Sequence, residues 1–176
     1  GVLGKTGAGC VEHFGLNTKP IIMGTLGKAF GSFGAFVAAD GDVVEALIQF
    51  GRSYIYTTAT PPALAAASLS ALHIVKTEQW RRDKLQELIG LFREQALQLG
   101  LALMPSDTPI QPILIGDEKA CVELSEKLYV DRLHVGAIRP PTVPDGTARL
   151  RVTFSADHSV SDIKALISSL AKHSHL

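Results

Sequence analysis

The sequence predicts an α/β fold in two parts, and three observations support this. An apolar run ending at Met23 opens into a glycine-rich turn, as at the end of a buried strand. Beyond residue 100, strand-like and helix-like patterns alternate, which is typical of a small α+β layer with helices on one face of a sheet. The composition changes from apolar to charged near residues 77–82. We therefore expect one domain at residues 1–79 and a small C-terminal domain at residues 80–176.

The first domain is predicted to hold three strands and three helices. Asp42 can cap the second helix, and proline suits the first turn of the third. That third helix is rich in alanine and nearly all apolar, so we expect it to be buried on most sides. The strands span residues 20–25, 33–39 and 53–57, and the helices span residues 9–14, 42–50 and 63–76.

The second domain begins with a long helix, residues 78–99, whose apolar stripe includes Phe92 and Leu99. Ser159 followed by Asp162 has the spacing of a capping box at the start of the last helix. Three strands and two further helices complete this domain. The strands span residues 109–115, 134–138 and 149–154, and the helices span residues 118–129 and 159–173.

Charge and cysteine content exclude several classes of function. The 17 basic and 17 acidic side chains cancel, so we expect neither a nucleic-acid partner nor an anionic membrane surface. No apolar run is long enough to span a bilayer. Cys10 and Cys121 match no metal or redox spacing, and the histidines are scattered, so we expect no metal. Two reduced thiols favour a cytoplasmic location.

The stretch 23–34 carries four glycines and the single lysine Lys28. Glycine lets the backbone approach a ligand, and an amine just past a buried strand can attack a carbonyl carbon. That is the chemistry of pyridoxal phosphate, whose phosphate could bind the Thr25 hydroxyl. The alternative is a surface loop with a solvated ammonium. A P-loop is excluded, because the GxxxxGK[ST] spacing is absent.

Two further groups of side chains could bind anions. Thr57 and Thr58 precede the start of a helix, where free N–H groups attract phosphate, although hydroxyls there can also satisfy the turn backbone. Arg149 and Arg151 share one face of a predicted strand, and arginine recognises carboxylates through two parallel hydrogen bonds. Arg139 and Thr142 lie in the preceding loop of residues 139–146, which three prolines stiffen. The alternative for each arginine is a solvated surface charge.

These stretches together resemble those of the α-oxoamine synthase family. Members of this family are fold-type I acyltransferases that depend on pyridoxal 5'-phosphate. The most discriminating stretch is Arg-Pro-Pro-Thr-Val-Pro at residues 139–144. The resemblance implies that the chain contains the second half of the large cofactor-binding domain followed by the small C-terminal domain. The matching stretches follow one another in the family's order and span residues 24–31, 56–62, 108–112, 137–144 and 148–151.

The resemblance implies a role for each cofactor residue. Lys28 would bind the cofactor covalently and shuttle the α-proton of the amino acid. Thr25 would bind the cofactor phosphate. Thr57 and Thr58 would reach the phosphate of the neighbouring subunit's cofactor, in a homodimer with a shared active site.

The resemblance also implies substrates. Arg151 would hold the carboxylate of L-alanine, Thr142 would touch substrate near the acyl entry, and Arg139 would help to bind a pimeloyl chain or thioester. The acyl donor would be pimeloyl-CoA or a pimeloyl-carrier protein. Two alternatives stay open, namely a sister synthase similar to glycine C-acetyltransferase, and a non-catalytic fragment that only dimerises or scaffolds.

The family also has an aspartate that pairs with the pyridinium nitrogen and a histidine in the same segment, and the resemblance places both ahead of residue 1. We therefore expect the chain to be the second part of a longer protein. We also expect the isolated chain to be inactive or nearly so.

Overall fold

The computed structural model describes residues 1–173. The chain divides into two compact units, Gly1–Gln79 and Trp80–Leu176. The division lies within the stretch where the composition of the sequence changes. The identity of the first unit as part of a cofactor-binding domain stays a prediction.

The first unit contains a β-hairpin and four helices. Strand β1 (Ile22–Thr25) pairs antiparallel with β2 (Ala35–Ala38), so that Gly24 lies opposite Phe36. Both strands were predicted, at residues 20–25 and 33–39, and together they form a two-stranded sheet. The helices are α1 (Cys10–His13), α2 (Gly41–Phe50), α3 (Arg52–Ile55) and α4 (Pro62–Thr77).

The strand predicted at residues 53–57 is wrong, because this segment forms the helical turn α3 instead. Its amides find partners within the turn: the N–H of Ile55 donates to the Gly51 carbonyl at 3.0 Å. The Arg52 guanidinium lies 5.8 Å from the centre of the Tyr56 ring, a spacing of four residues that a helix brings together. Local bonds therefore outweigh the β propensity of this aromatic segment.

Apolar side chains of the first unit are not buried within it. Gly7 is the single buried residue among residues 1–79. The expectation that α4 is buried on most sides is therefore wrong for this unit, since none of its residues is buried. No second layer of the unit covers the apolar surface of this helix.

As described to residue 173, the second unit is a three-stranded antiparallel sheet with three helices. The strands β3 (Ile110–Gly116), β4 (Gly136–Ile138) and β5 (Ala148–Thr153) lie in the order β3-β5-β4. The predicted alternation of elements is confirmed, with each strand within two residues of its expected bounds. The helices are α5 (Trp80–Gln98), α6 (Glu118–Val130) and α7 (Val160–His173).

The core of the second unit lies between its sheet and helices. Along β5 the side chains at positions 148, 150 and 152 are buried, whereas those at 151 and 153 are exposed. Phe92 of α5 is fully buried and lies 5.1 Å from the Phe154 ring. The predicted apolar stripe of α5 is confirmed except for Leu99, which lies past the helix end and is 40% exposed. The buried members are Leu85, Leu88, Ile89, Phe92 and Ala96.

The capping predictions had different outcomes. The Ser159 amide donates to Asp162 Oδ2 at 2.7 Å, and the Asp162 amide donates to Ser159 Oγ at 3.3 Å, so the capping box is confirmed. Hydrogen bonds donated to the Asp162 carboxylate, first by the Ser159 amide and then by the Ser159 hydroxyl, lower the pKa of Asp162. The cap predicted at Asp42 is wrong, since Asp40 occupies the N-cap position of α2 and its side chain makes no capping bond.

Candidate functional site

Lys28 lies in the connection between β1 and β2. Backbone hydrogen bonds of 2.9 Å join the Leu26 amide to the Gly34 carbonyl and the Ser32 amide to the Leu26 carbonyl. A third, also 2.9 Å, joins the Gly31 amide to the Lys28 carbonyl. Gly31 and Gly34 have φ angles of 58° and 110°, which favour glycine. The connection is therefore a defined turn that holds the backbone of Lys28 in one conformation.

Ser32 links this turn to helix α4 through hydrogen bonds. Its hydroxyl lies 2.9 Å from the Ser68 hydroxyl and 3.3 Å from the Leu64 carbonyl oxygen, which also accepts from Ser68. Sequence analysis did not assign a role to either serine. The sequence signal that could have revealed this contact was one serine in a glycine-rich turn and another in an apolar helix.

Lys28 and Thr25 present free polar groups on the hairpin. Both residues are exposed, and in the described part of the chain neither the amine nor the hydroxyl makes a hydrogen bond or ion pair. Thr25 ends β1, three residues before Lys28. A primary amine able to bind an aldehyde and a hydroxyl able to bind a phosphate thus lie three residues apart on one hairpin. This donor set fits pyridoxal 5'-phosphate.

Thr57 and Thr58 lie between α3 and α4 and are exposed. They follow a helical turn rather than the strand that was expected. Within residues 1–173 their hydroxyls make no hydrogen bond, so the alternative in which they satisfy the turn backbone is not observed. The N-terminus of α4 has neither a capping side-chain bond nor an acidic residue in its first turn. Its amides therefore leave a favourable place for an anion.

Arg149 and Arg151 point to the same side of β5, as the spacing predicted. Arg149 donates to the Thr147 carbonyl at 3.0 Å and to its hydroxyl at 3.1 Å. Arg151 is exposed and makes no such bond within the described residues. Its neighbours across the two adjoining strands are Pro112 and Gly136. Because neither neighbour has a long side chain, the Arg151 guanidinium on this face of the sheet is accessible to a ligand.

The proline-rich loop joins β4 to β5. It contains a cis peptide bond between Pro140 and Pro141, and the Thr142 amide donates to the Arg139 carbonyl at 3.0 Å. Thr142 itself is exposed. The Arg139 guanidinium lies 2.9 Å from the Glu118 carboxylate, and both side chains are about half exposed. Arg139 is therefore already paired, and a ligand would have to compete with Glu118.

Gln111 is a fully buried polar residue of β3 whose role sequence analysis did not identify. Its Oε1 accepts from Arg93 Nη1 at 2.7 Å. Its Nε2 donates to the carbonyls of Ser106 and Thr108 at 3.1 Å and 2.7 Å. Gln111 thus ties α5 and the segment before β3 to the sheet that carries Arg151. A glutamine inside an apolar strand was the available indication.

The remaining expectations concern metal binding, the two cysteines and membrane-spanning segments. Within residues 1–173, no group of three or more His, Cys, Asp or Glu side chains could hold a metal ion. Cys10 and Cys121 are both free; Cys10 is exposed, and burial raises the pKa of the Cys121 thiol. Over the same residues, no helix combines the length and apolar character needed to cross a membrane.

The sequence as a whole matches the family described as Aminotransferase class I and II, over residues 2–170. The chain therefore belongs to this family, whose enzymes depend on pyridoxal 5'-phosphate. This agrees with the cofactor expected from the lysine turn and with the expected fold class.

Among individual proteins, the chain is similar to 8-amino-7-oxononanoate synthases. It is 56% identical over 174 residues to that of Nitrosococcus oceani, covering 98% of this chain and 46% of the relative. It is 57% identical to that of Pseudomonas fluorescens, covering 97% of this chain and 44% of the relative. The resemblance inferred from the motifs is thus confirmed. The chain spans about half the length of these curated relatives.

Solved structures show the same similarity. The crystal structure of 8-amino-7-oxononanoate synthase from Francisella tularensis has a TM-score of 0.86 and 33% identity, covering 97% of this chain and 51% of that one. A serine palmitoyltransferase structure described with pyridoxal phosphate has a TM-score of 0.91 and 25% identity, covering 98% of this chain and 44% of that one.

Proposed function

We propose that this chain forms the lysine-bearing part of a synthase that condenses L-alanine with a pimeloyl thioester. The products are 8-amino-7-oxononanoate, carbon dioxide and the free thiol, in biotin biosynthesis. The observation that carries the proposal is the unpartnered amine of Lys28 on a defined turn, in a chain 56% identical to such a synthase. When bound, pyridoxal 5'-phosphate supplies an aldehyde for this amine and a ring that withdraws electrons from the amino-acid Cα.

Lys28 has two tasks in this proposal. Its Nζ would hold the cofactor, and once L-alanine has displaced the Lys28 amine, the same atom would accept the proton from the alanine Cα. The second task requires the amine to return to one position after release. The three backbone bonds of the turn and the Ser32–Ser68 contact support this, because they fix the backbone from which the exposed Lys28 side chain extends.

The hydroxyls would bind the cofactor phosphate. Thr25 ends β1, three residues before Lys28, which supports a contact within one subunit. Thr57 and Thr58 precede the uncapped N-terminus of α4, where amides and hydroxyls together attract an anion. We propose that these two serve the cofactor of a neighbouring subunit in a homodimer.

Arg151 would bind the alanine carboxylate. Its exposure between Pro112 and Gly136 supports this, because a carboxylate can approach the guanidinium without competing with another side chain. A fixed carboxylate also sets which bond at Cα can break. Thr142 and Arg139 would contact the acyl donor, and Arg139 would exchange Glu118 for that donor.

A hybrid enzyme tests the proposal. The 174 matched residues of the Nitrosococcus oceani synthase are replaced by this chain, and the hybrid is supplied with pyridoxal phosphate, L-alanine and pimeloyl-CoA or a pimeloyl-carrier protein. We expect 8-amino-7-oxononanoate as product. Borohydride reduction should place a pyridoxyl group on Lys28, and Lys28→Ala should abolish both label and turnover.

Lys19→Ala is the matched control, because Lys19 is also an exposed lysine of the first unit. Label on another residue would contradict the proposal. Turnover with glycine and acetyl-CoA in place of alanine and the pimeloyl donor would indicate the sister synthase. A hybrid that folds but takes up no cofactor would indicate a non-catalytic scaffold. The chain alone, about half the length of its relatives, is expected to show no turnover.

A further inference from the structure

The second unit contains a cavity of about 280 Å³ beside the start of α7. Its wall comes from three segments: residues 132–135 before β4, residues 152–154 at the end of β5, and residues 158–166. All three segments belong to one unit, so this chain forms the cavity by itself. The volume is close to the lower end of the range for small-molecule sites, roughly 300 Å³. We call this cavity the α7 cleft.

The floor of the α7 cleft is apolar. It is lined by buried side chains from all three segments, namely Val135, Val152, Phe154, Ile163 and Leu166. Such a floor favours a ligand with an aliphatic or aromatic body, because binding then removes apolar surface of both partners from water.

Hydrogen-bond donors lie at the rim of the α7 cleft. Arg132, His134 and Thr153 are exposed, and within residues 1–173 their side chains make no hydrogen bond or ion pair. His158 Nδ1 accepts a hydrogen bond from the Ser155 amide at 3.1 Å. In the neutral imidazole the proton is therefore on Nε2, so His158 can also donate to a ligand.

The backbone of Arg132 adopts a conformation that favours glycine. Its φ angle is 65°, and in the part of the chain that the structure describes it is the one non-glycine residue with positive φ. The Arg132 amide donates to the Tyr129 carbonyl at 2.9 Å, and the next amide, that of Leu133, donates to the Leu128 carbonyl at the same distance. This hydrogen-bond pattern ends α6 in the way that usually selects glycine at the position of Arg132. An arginine there costs conformational free energy, which points to a use for its side chain other than stability.

Asp162 is the one acidic side chain among the lining residues that the structure describes. Its Oδ2 already accepts hydrogen bonds from the amide and the hydroxyl of Ser159, at 2.7 Å and 2.8 Å. The other polar groups of the wall are a permanent cation, two imidazoles and a hydroxyl. Because the Arg132 guanidinium has no acceptor within the described residues, the complementary ligand carries an anionic group, and a carboxylate matches a guanidinium through two parallel hydrogen bonds.

We propose that the α7 cleft binds a small carboxylate with an aliphatic or aromatic body. Arg132 pairs with the carboxylate group, the two histidines at the rim donate further hydrogen bonds, and the body lies against the apolar floor. None of the residues that line the cleft is among those assigned to the cofactor, to L-alanine or to the acyl donor. The inference therefore does not rest on the proposed function.

Titration of the chain with 4-phenylbutyrate, followed by the amide and histidine ring signals in NMR spectra, tests the proposal. We expect a Kd on the order of 1 mM, as for a small ligand of modest efficiency, with shifted signals confined to the three segments of the wall. The neutral isostere 4-phenylbutyramide should bind about tenfold more weakly or worse, because it lacks the charge that pairs with Arg132. Acetate, which has the charge without the body, should lose a similar factor. The hybrid enzyme should bind 4-phenylbutyrate as the chain does.

Arg132→Gly separates binding from stability. It removes the guanidinium and places glycine where the backbone favours it, so the affinity for 4-phenylbutyrate should fall about tenfold or more. The urea midpoint should rise by about 0.2–0.5 M at the same time. Fluorescence of Trp80, the single tryptophan and a residue of the second unit, reports this midpoint. Lys119→Ala is the control, because Lys119 is an exposed cation of the second unit outside the cleft, and it should change neither quantity.

Four outcomes would overturn the inference. The first is the absence of saturable shifts in the three segments at about 20 mM 4-phenylbutyrate, well above the expected Kd. The second is equal affinity for the carboxylate and the amide. The third is an Arg132→Gly variant that keeps its affinity, or that loses affinity and stability together, which would show that Arg132 acts by packing. The fourth is binding to the chain but not to the hybrid, which would show that the rest of the synthase fills the cleft. Failure of the hybrid to turn over substrate would leave these results unaffected, so the two proposals can fail separately.

Discussion

The carboxylate of Asp131, just past the end of α6, accepts a 2.7 Å hydrogen bond from the hydroxyl of Ser169 in α7. The same carboxylate lies 2.8 Å from His173 Nε2 and 3.1 Å from Lys172 Nζ. These contacts join the end of α6 to α7, and Asp131 and Ser169 are 38 residues apart in the sequence. The Ser169 bond first, followed by those of His173 and Lys172, lowers the pKa of Asp131 to about 2.

This network predicts an acid-dependent loss of stability in the second unit. The folded pKa lies below the ordinary value of 3.8, so the stabilisation is present above pH 3.8 and is lost as the pH falls towards 2. Asp131→Asn should lower the urea midpoint of Trp80 fluorescence at pH 7. The difference from the parent chain should shrink between pH 4 and pH 2.

Asp145→Asn is the control for this prediction, because Asp145 is an exposed carboxylate of the proline-rich loop. It should change the midpoint little at either pH. A difference between Asp131→Asn and the parent that is the same at pH 7 and pH 2 would show that the carboxylate charge does not act through this network.

Gln111 is expected to be essential for the stability of the second unit. Gln111→Leu replaces the amide by an apolar side chain of similar size and leaves the Arg93 guanidinium and two carbonyls without their partner. Unsatisfied buried groups of this kind predict a loss of about 2–4 kcal/mol in the free energy of unfolding, measured by urea titration. Gln98→Leu, at the exposed end of α5, is the control and should cost less than about 0.5 kcal/mol. Equal effects of the two would contradict the assignment.

Position 24 is expected to require glycine, because the Phe36 ring leaves no room for a side chain there. A Cβ atom at Gly24 would lie 2.6 Å from the Phe36 ring, whereas a Cβ at Gly41 would meet nothing within 4 Å. Gly24→Ala should therefore destabilise the hybrid enzyme by about 1–3 kcal/mol and reduce pyridoxyl labelling of Lys28, while Gly41→Ala should not. In the Phe36→Ala background the cost of Gly24→Ala should disappear. If Gly24→Ala remained equally destabilising in the Phe36→Ala background, the strain would not come from the Phe36 ring.

Arg151 is expected to control the affinity for alanine. In the hybrid enzyme, Arg151→Lys replaces a two-pronged donor by a point charge and should raise the KM for L-alanine roughly tenfold to a hundredfold. Cofactor labelling of Lys28 should be retained. Arg149→Lys is the matched control, because Arg149 is bonded to Thr147 and should affect KM less. A larger effect at Arg149 would reverse the assignment of the two arginines.

Local sequence patterns predicted much of the second unit. The stripe of α5 and the capping box of Ser159 with Asp162 depend on neighbours within a few residues, so spacing alone reveals them. The shared face of Arg149 and Arg151 follows from the period of two in a strand. In the first unit, the same reasoning failed at residues 53–57, where β-prone side chains form a helical turn held by local backbone hydrogen bonds.

The sequence by itself determined the lysine turn, the arginine-bearing strand and the membership of a cofactor-dependent family, since these reside in short ordered stretches. Only the tertiary structure decided that Arg139 forms an ion pair with Glu118, that Gln111 is buried, and that Asp131 links α6 to α7. It alone showed that the apolar surface of the first unit has no cover among residues 1–79. The physical reason is that pairing and burial depend on groups distant in the chain, which residue spacing does not encode.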